Sequence, residues 1–218
     1  MVDYQSILDF IFRFDTMLPN GVGTFDLGIT ERKRRERAER EILIVDTARR
    51  IAEEEGWAAV TIRRLAQDIE YSQPVIYSHF ASRDAIVGAV AIEGFGELAA
   101  ALRGAAHSAS SPKNALAAVA ETFLDVAFDR PAIYEAMFVL PSGLRFAKSD
   151  TPPQLRDTFD ALAAVITPFC QDVEVATETF WASLHGLAEL ERHGRIRPAF
   201  RAQRLARIVQ MVCAQAPK

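Results

Sequence analysis

The sequence predicts an all-α protein in which a three-helix head carrying a helix-turn-helix precedes a larger helical domain. Three observations predict it. Apolar residues recur at three- and four-residue spacing through most of the 218-residue chain, and alternating, strand-like runs are almost absent. Half of the residues are apolar, enough to bury a substantial core. Ser, Thr or Pro stands ahead of one apolar run after another, which is how helices are opened. The chain divides into an N-terminal extension (1–30), the head (31–90) and a second helical domain (91–218).

In the extension, Ile7, Phe10, Ile11, Phe14 and Leu18 follow helical spacing and predict a short amphipathic helix ahead of PNGVGTF. Arg13 is its one basic residue against Asp3, Asp9 and Asp15, which disfavours a membrane-surface role. An acidic start without a small-residue cleavage site argues against a signal peptide. No uninterrupted apolar run reaches the roughly 18 to 20 residues that span a bilayer. Cys170 and Cys213 belong to no CxxC pair, so a reduced, cytoplasmic protein is expected.

The first helix of the head runs from the basic tract ERKRRERAER (31–40) to Gly56, with Ile44, Ala48, Ile51 and Ala52 as its buried stripe. The tract holds six basic and three acidic residues in a chain of net charge −4. Taken alone it reads as a solvated face with Glu–Arg pairs. Thr61 caps a second helix, TIRRLAQDI, with Ile62, Leu65, Ala66 and Ile69 inward and Arg63 and Arg64 outward. In YSQPVIYSHF (71–80), Val75, Ile76 and Phe80 turn inward, leaving Ser72, Gln73, Tyr77, Ser78 and His79 on the outer side. Ser82 caps the next helix, with Asp84 near its positive end.

That helix continues toward Gly104 despite Gly88, Gly94 and Gly96, each costing about 1 kcal/mol relative to alanine. The glycines fit either close packing against a neighbour or a pliable connector between two units. SPKNALAAVAETFLDVAFDR opens with Ser-Pro at cap and first helical position, and Pro131 starts a further helix. Thr151 and Gln154 form the pattern of a capping box ahead of LRDTFDALAAVI. EVATETFWASLHGLAELERHGR and RAQRLARIVQMVCAQA supply the last two helices.

Two short helices joined by a tight turn, the second rich in small polar and aromatic groups, can place that second helix in the major groove of DNA. Gln73 suits bidentate pairing with adenine, and Ser72 is short enough to meet a base or a phosphate. Tyr77 and His79 each carry a donor on a rigid arm that suits phosphate oxygens.

From residue 38 to 90 the chain resembles the DNA-binding head of the TetR family of bacterial regulators. The resemblance is carried by Ala48, Gly56, Thr61-x-Arg63-x-Leu65-Ala66, Ser72 and Ile76-Tyr77-Ser78-His79-Phe80-x-Ser82-Arg83-Asp84. It implies that Thr61, Arg63, Tyr77, His79 and Arg83 meet phosphates. It also implies that Ser72, Gln73 and Pro74, with Arg64 and Val75, face bases. The chain departs from the family at Glu70, where a turn glycine is usual. A non-glycine residue held at positive φ there costs on the order of 1 kcal/mol.

Trp181-Ala-Ser-Leu-His185-Gly186 resembles the Trp-His-Gly (WHG) ligand-domain subgroup of the same family. Phe123, Phe128, Tyr134, Met137, Phe138, Phe159, Phe169, Phe180 and Trp181 exceed what one thin helical layer needs, although each taken singly reads as core. Together with the resemblance they, and His185, imply a pocket for a small apolar effector. Leu184, Leu187 and Leu190 on one helix and Leu205, Ile208, Val209 and Val212 on the next offer stripes that could pair with their own copies, giving a two-fold dimer with two heads.

His185, Glu189 and His193, spaced four apart, share a helical face and could hold a divalent ion. Three side chains on one straight helix rarely converge on a single ion, so no metal is expected. Without a Ser-His-Asp arrangement, phosphate-cradling glycine loop or HExxH signature, neither catalysis nor a cofactor is expected. The reading is a repressor released from a palindromic duplex operator by a lipophilic molecule. The rivals are a helical interaction module, whose basic head docks an acidic partner, and a metal-binding protein without sequence-specific DNA binding.

Overall fold

The computed structural model describes residues 24–215 apart from 147 and 149, so the helix read at Ile7–Leu18 lies outside the described residues. Among those described are nine α-helices, two 3-10 turns and no strand. Residues from Arg40 onward form one compact unit.

Helix α1 (Thr24–Glu55) starts ahead of the basic tract and ends where Gly56 takes φ 82°. Its second half buries Ile44, Val45, Ala48, Ile51 and Ala52. A 3-10 turn, Trp57–Ala59, leads to α2 (Ile62–Asp68), capped as expected by Thr61, whose hydroxyl accepts the Arg64 N–H at 3.1 Å. The connection to α3 (Gln73–His79) is closed by Tyr71 N–H donating to the Ala66 carbonyl at 2.9 Å. That closure holds Glu70 at φ 57°, and it is the one non-glycine residue at positive φ among those described. The turn thus keeps a geometry that suits glycine while the sequence supplies glutamate.

Ser82 caps α4 (Arg83–His107), a continuous helix against which α5 (Pro112–Asp129), α6 (Pro131–Phe138) and α7 (Pro153–Ile166) all pack. It is long and apolar enough to cross a membrane by length and composition, but over half of that stretch is buried within the protein. Two of its glycines are contact surfaces. A Cβ on Gly94 would stand 2.6 Å from Cγ2 of Ile133, and one on Gly88 would stand 2.6 Å from the Ser142 carbonyl oxygen. At Gly96 the nearest atom is an ordinary 3.6 Å away. Close packing therefore accounts for Gly88 and Gly94.

The capping box at Thr151 and Gln154 does not form. Thr151 turns back to accept the Lys148 N–H at 2.9 Å, and Pro152 occupies the cap of α7. Helices α8 (Val173–Arg192) and α9 (Arg201–Cys213) complete the chain. Between them Glu191, its side chain all but fully buried, pairs with Arg201 and Arg204, and Arg201 also reaches Asp125 of α5 at 3.1 Å.

Candidate nucleic-acid interface and aromatic cluster

The outward surface of α3 is built around one anchor. Ile76 is wholly buried and Val75 half-buried, which fixes the helix on the head and leaves Ser72, Gln73, Pro74 and Tyr77 exposed. Ser72 occupies the N-cap without bonding its own helix, so its hydroxyl stays available. Tyr77 is 54% exposed, and Arg63 is exposed on α2. Amide, hydroxyls and guanidinium together form a surface of hydrogen-bonding groups.

Three other residues assigned to that surface are engaged inside the head. His79 is not on the outer side: its side chain is 5% exposed, and Nδ1 lies 3.2 Å from Oε1 of Glu41. Arg83 donates to the carbonyls of Val60 (2.9 Å) and Trp57 (2.7 Å) and lies over the Trp57 ring. Arg64 binds both oxygens of Glu55 and Oδ1 of Asp68. Hydrogen bonds to Asp68 and then Glu55 raise its pKa, while those from Arg50 and Arg64 hold the Asp68 carboxyl below its usual range. To reach DNA, Arg64 must first leave these carboxylates. Periodicity placed His79 and Arg64 outward, and the family resemblance implied a phosphate contact for Arg83; Glu41, Glu55 and the carbonyls of Trp57 and Val60 come from α1 and the 3-10 turn with its cap, which local spacing does not contain, whereas Asp68 stands four residues after Arg64 on α2 itself.

The head is tied to the second domain by polar contacts that sequence reasoning missed. Trp57 Nε1 donates to the Ala132 carbonyl of α6 at 2.7 Å. Glu97 of α4 binds Arg49 of α1 at 2.7 Å and also pairs with Arg130 at the junction of α5 and α6. A backbone acceptor leaves no sequence signal, and these charges lie tens of residues apart.

In the second domain, aromatic rings gather around Phe138. Its centroid lies 4.9 Å from Tyr134, 5.2 Å from Phe95, 5.5 Å from His185, 5.8 Å from Phe123 and 6.0 Å from Trp181. Phe146, on the connection between α6 and α7, stacks on Trp181 and meets the edge of Phe95. These separations are contact distances, so a guest must part the rings. Phe95 and Phe146 were not foreseen, one lying on the glycine-bearing helix and the other in a loop.

At the polar end of the cluster the Tyr134 hydroxyl and His185 Nδ1 share a 2.6 Å hydrogen bond. Burial lowers the His185 pKa and raises that of Tyr134. Arg192 lies over the Tyr134 ring and binds Glu135 and Glu189. His193 Nδ1 meets the Glu189 carbonyl at 2.8 Å, so the three residues weighed as metal ligands are each engaged elsewhere.

Not all the aromatic candidates join the cluster. Phe128 is exposed, beneath Arg201 at 4.4 Å. Phe159 is half-buried and makes no ring contact among the described residues. Phe180 is buried but lines a groove of about 290 Å³ between α8 and α9 with Val175, Ile208 and Met211. Met137 packs beside Gly94, next to the cluster.

Two family profiles match the chain: "Bacterial regulatory proteins, tetR family" over residues 44–90 and "Tetracyclin repressor-like, C-terminal domain" over 116–212. An uncharacterized HTH-type transcriptional regulator of Mycobacterium tuberculosis is 28% identical over 157 residues, 69% of each chain. A protein of unknown function from Rhodococcus sp. RHA1 shares the fold with a TM-score of 0.65 and 20% identity, covering 82% of this chain and 95% of its own. The transcriptional regulator FadR from Bacillus subtilis, solved in complex with stearoyl-CoA, does so with a TM-score of 0.57 and 13% identity, covering 81% and 99%.

Proposed function

This chain belongs to the TetR family of bacterial transcriptional regulators, and from that premise we propose that it is a cytoplasmic, homodimeric repressor. A small lipophilic effector, entering the aromatic cluster, releases it from a palindromic operator. The observation that carries the DNA half of this reading is the exposed row Ser72, Gln73, Pro74 and Tyr77 on a helix anchored by fully buried Ile76. Arg63 and Thr61 supply phosphate contacts from α2, and Arg64, Val75, His79 and Arg83 contribute mainly by holding the head in shape.

The effector half rests on Phe95, Phe123, Tyr134, Phe138, Phe146, Trp181 and His185, an apolar nest with one hydrogen-bonded polar pair. The stearoyl-CoA held by FadR is a precedent for a lipophilic ligand on this fold. Dimerisation is assigned to α8 and α9, whose Val175, Leu190 and Met211 are exposed. The Trp-His-Gly subgroup remains the expected relationship for the second domain.

The test is selection of duplexes from a random-sequence library by the full chain, followed by footprinting. A palindrome is expected, released by members of a panel of long-chain acyl compounds and apolar aromatics. Failure to enrich any duplex would sink the proposal, and enrichment without release by any apolar compound would sink its effector half.

A further inference from the structure

Residues 192–207 hold six arginines and no acidic side chain, in a chain of net charge −4. They run from the end of α8 through the connection to α9, and that connection is fixed at both ends. Gly194, at φ 63°, closes α8: its N–H donates to the Glu191 carbonyl at 2.9 Å, and that of Arg195 to the Leu190 carbonyl at 2.8 Å. At the far end the Arg204 guanidinium of α9 donates to the Arg197 carbonyl at 3.0 Å. The turn so held borders an open cavity of about 510 Å³ lined by Arg195, Ile196, Arg197, Pro198, Phe200 and Arg204. That volume lies in the range of small-molecule sites, roughly 300 to 1,000 Å³.

The charges around it do not balance. Arg201 and Arg204 share the buried carboxylate of Glu191, and Arg201 also reaches Asp125. Arg195 and Arg197 are exposed and pair with no carboxylate among the described residues. Four guanidiniums thus meet two carboxylates. Arg197 lies over the Phe200 ring at 5.0 Å, and that ring is 44% exposed, so a flat apolar face borders the cations. We propose that this cavity binds a nucleoside phosphate, its phosphates on Arg195 and Arg204 and its base extending the Arg197–Phe200 stack. A phosphate carries about two negative charges near neutral pH and accepts from guanidinium forks, so it meets the excess that a single carboxylate would only halve. A base supplies the π face that inorganic phosphate and sugar phosphates lack. The cavity shares no lining residue with the aromatic cluster, so the nucleotide is an input separate from the apolar effector proposed above, and the inference stands apart from the DNA-binding reading.

The experiment is isothermal titration calorimetry of the full chain with ADP and, in parallel, with pyrophosphate and adenosine, at about 0.1 M salt. Saturable binding of ADP is expected, with pyrophosphate weaker by about tenfold for want of stacking and adenosine weaker again for want of charge. Arg195→Gln combined with Arg197→Gln removes two exposed, unpaired charges and should weaken ADP by at least about tenfold without moving the thermal unfolding midpoint. Phe200→Leu keeps an apolar side chain but removes the ring, and should cancel the preference for ADP over pyrophosphate. Arg207→Gln is the charge control. It removes an equally exposed cation of the same stretch that lines no part of the cavity, and should bind ADP as the wild type does.

Absence of saturable ADP binding up to about 1 mM would overturn the inference. So would equal weakening by Arg207→Gln and by the cavity pair, which marks diffuse attraction by the whole basic stretch. Pyrophosphate held by wild type as tightly as ADP would overturn it in favour of an inorganic polyanion. A duplex of unrelated sequence that binds wild type but not the cavity pair, with no ADP bound, would overturn it in favour of a nucleic-acid backbone. No arm uses a selected operator, so failure here and failure of the regulator reading are told apart.

Discussion

Gln73 and His79 stand six residues apart on one seven-residue helix, and only the first faces solvent. Gln73→Ala should cost about 1 to 3 kcal/mol on a selected palindrome and relax one base position, read by binding to single-base variants of the site. Unchanged affinity and preference would show that α3 does not lie in the groove. Glu70→Gly removes the strain of φ 57° but adds freedom to the unfolded chain. A net gain of about 0.5 to 1 kcal/mol in urea unfolding is expected. His185 gives a pH signature. Burial depresses its folded pKa below the ordinary 6.5, so the unfolded chain binds more protons in the interval between the two values. The contribution is full above about 6.5 and is lost as pH falls through the depressed value, a loss that His185→Gln should flatten in unfolding curves. The sequence disclosed Gln73, Thr61 and the peculiarity of Glu70 because those are local matters. It concealed the fates of His79 and Arg83, which Glu41 and two carbonyls decide from elsewhere in the chain, and the Glu55 half of Arg64's, although Asp68 at i+4 was within reach of local spacing.

At the scale of elements, the caps at Thr61, Ser82 and Ser111 formed as their residues suggest, each side chain accepting an N–H three residues on. The failure at Thr151 came from competition, since the same hydroxyl closes the preceding loop. The glycines of α4 admit a direct comparison. Gly94→Ala forces a Cβ against Ile133 and should destabilise by about 1 to 3 kcal/mol. Gly96→Ala meets only ordinary contact with Gln154 and should stabilise by up to about 1 kcal/mol through helix propensity. Thermal unfolding of the two variants checks this, and shifts of the same sign would contradict the packing. Spacing revealed that glycines interrupt an apolar helix; which of them touches a neighbour depended on where α6 and the α6–α7 loop settle.

For the molecule as a whole, the dimeric repressor proposed above needs two heads whose recognition helices are separated by about 34 to 36 Å or a multiple of it. Met211, 60% exposed beside the α8–α9 groove, is assigned to the face that joins them. Met211→Glu buries an unpaired charge at such a face and should shift the protein to monomer in sedimentation velocity, with operator affinity falling in step. A dimer unaffected by that charge would place the interface elsewhere. The helical class and the order head then second domain were legible because periodicity and turn chemistry are written locally. The polar ties between the domains were not, being pairings of distant charges and a backbone carbonyl. One of those ties also has an optical use. The chain's two tryptophans are Trp57, sealed and bonded to Ala132, and Trp181, partly open and stacked on Phe146. They are two intrinsic fluorophores, one at the junction of the head with α6 and one at the edge of the aromatic cluster. Trp57→Phe would leave Trp181 as the lone emitter, so quenching would count occupied clusters, and Trp181→Phe would leave Trp57 to report whether the head has felt that occupancy.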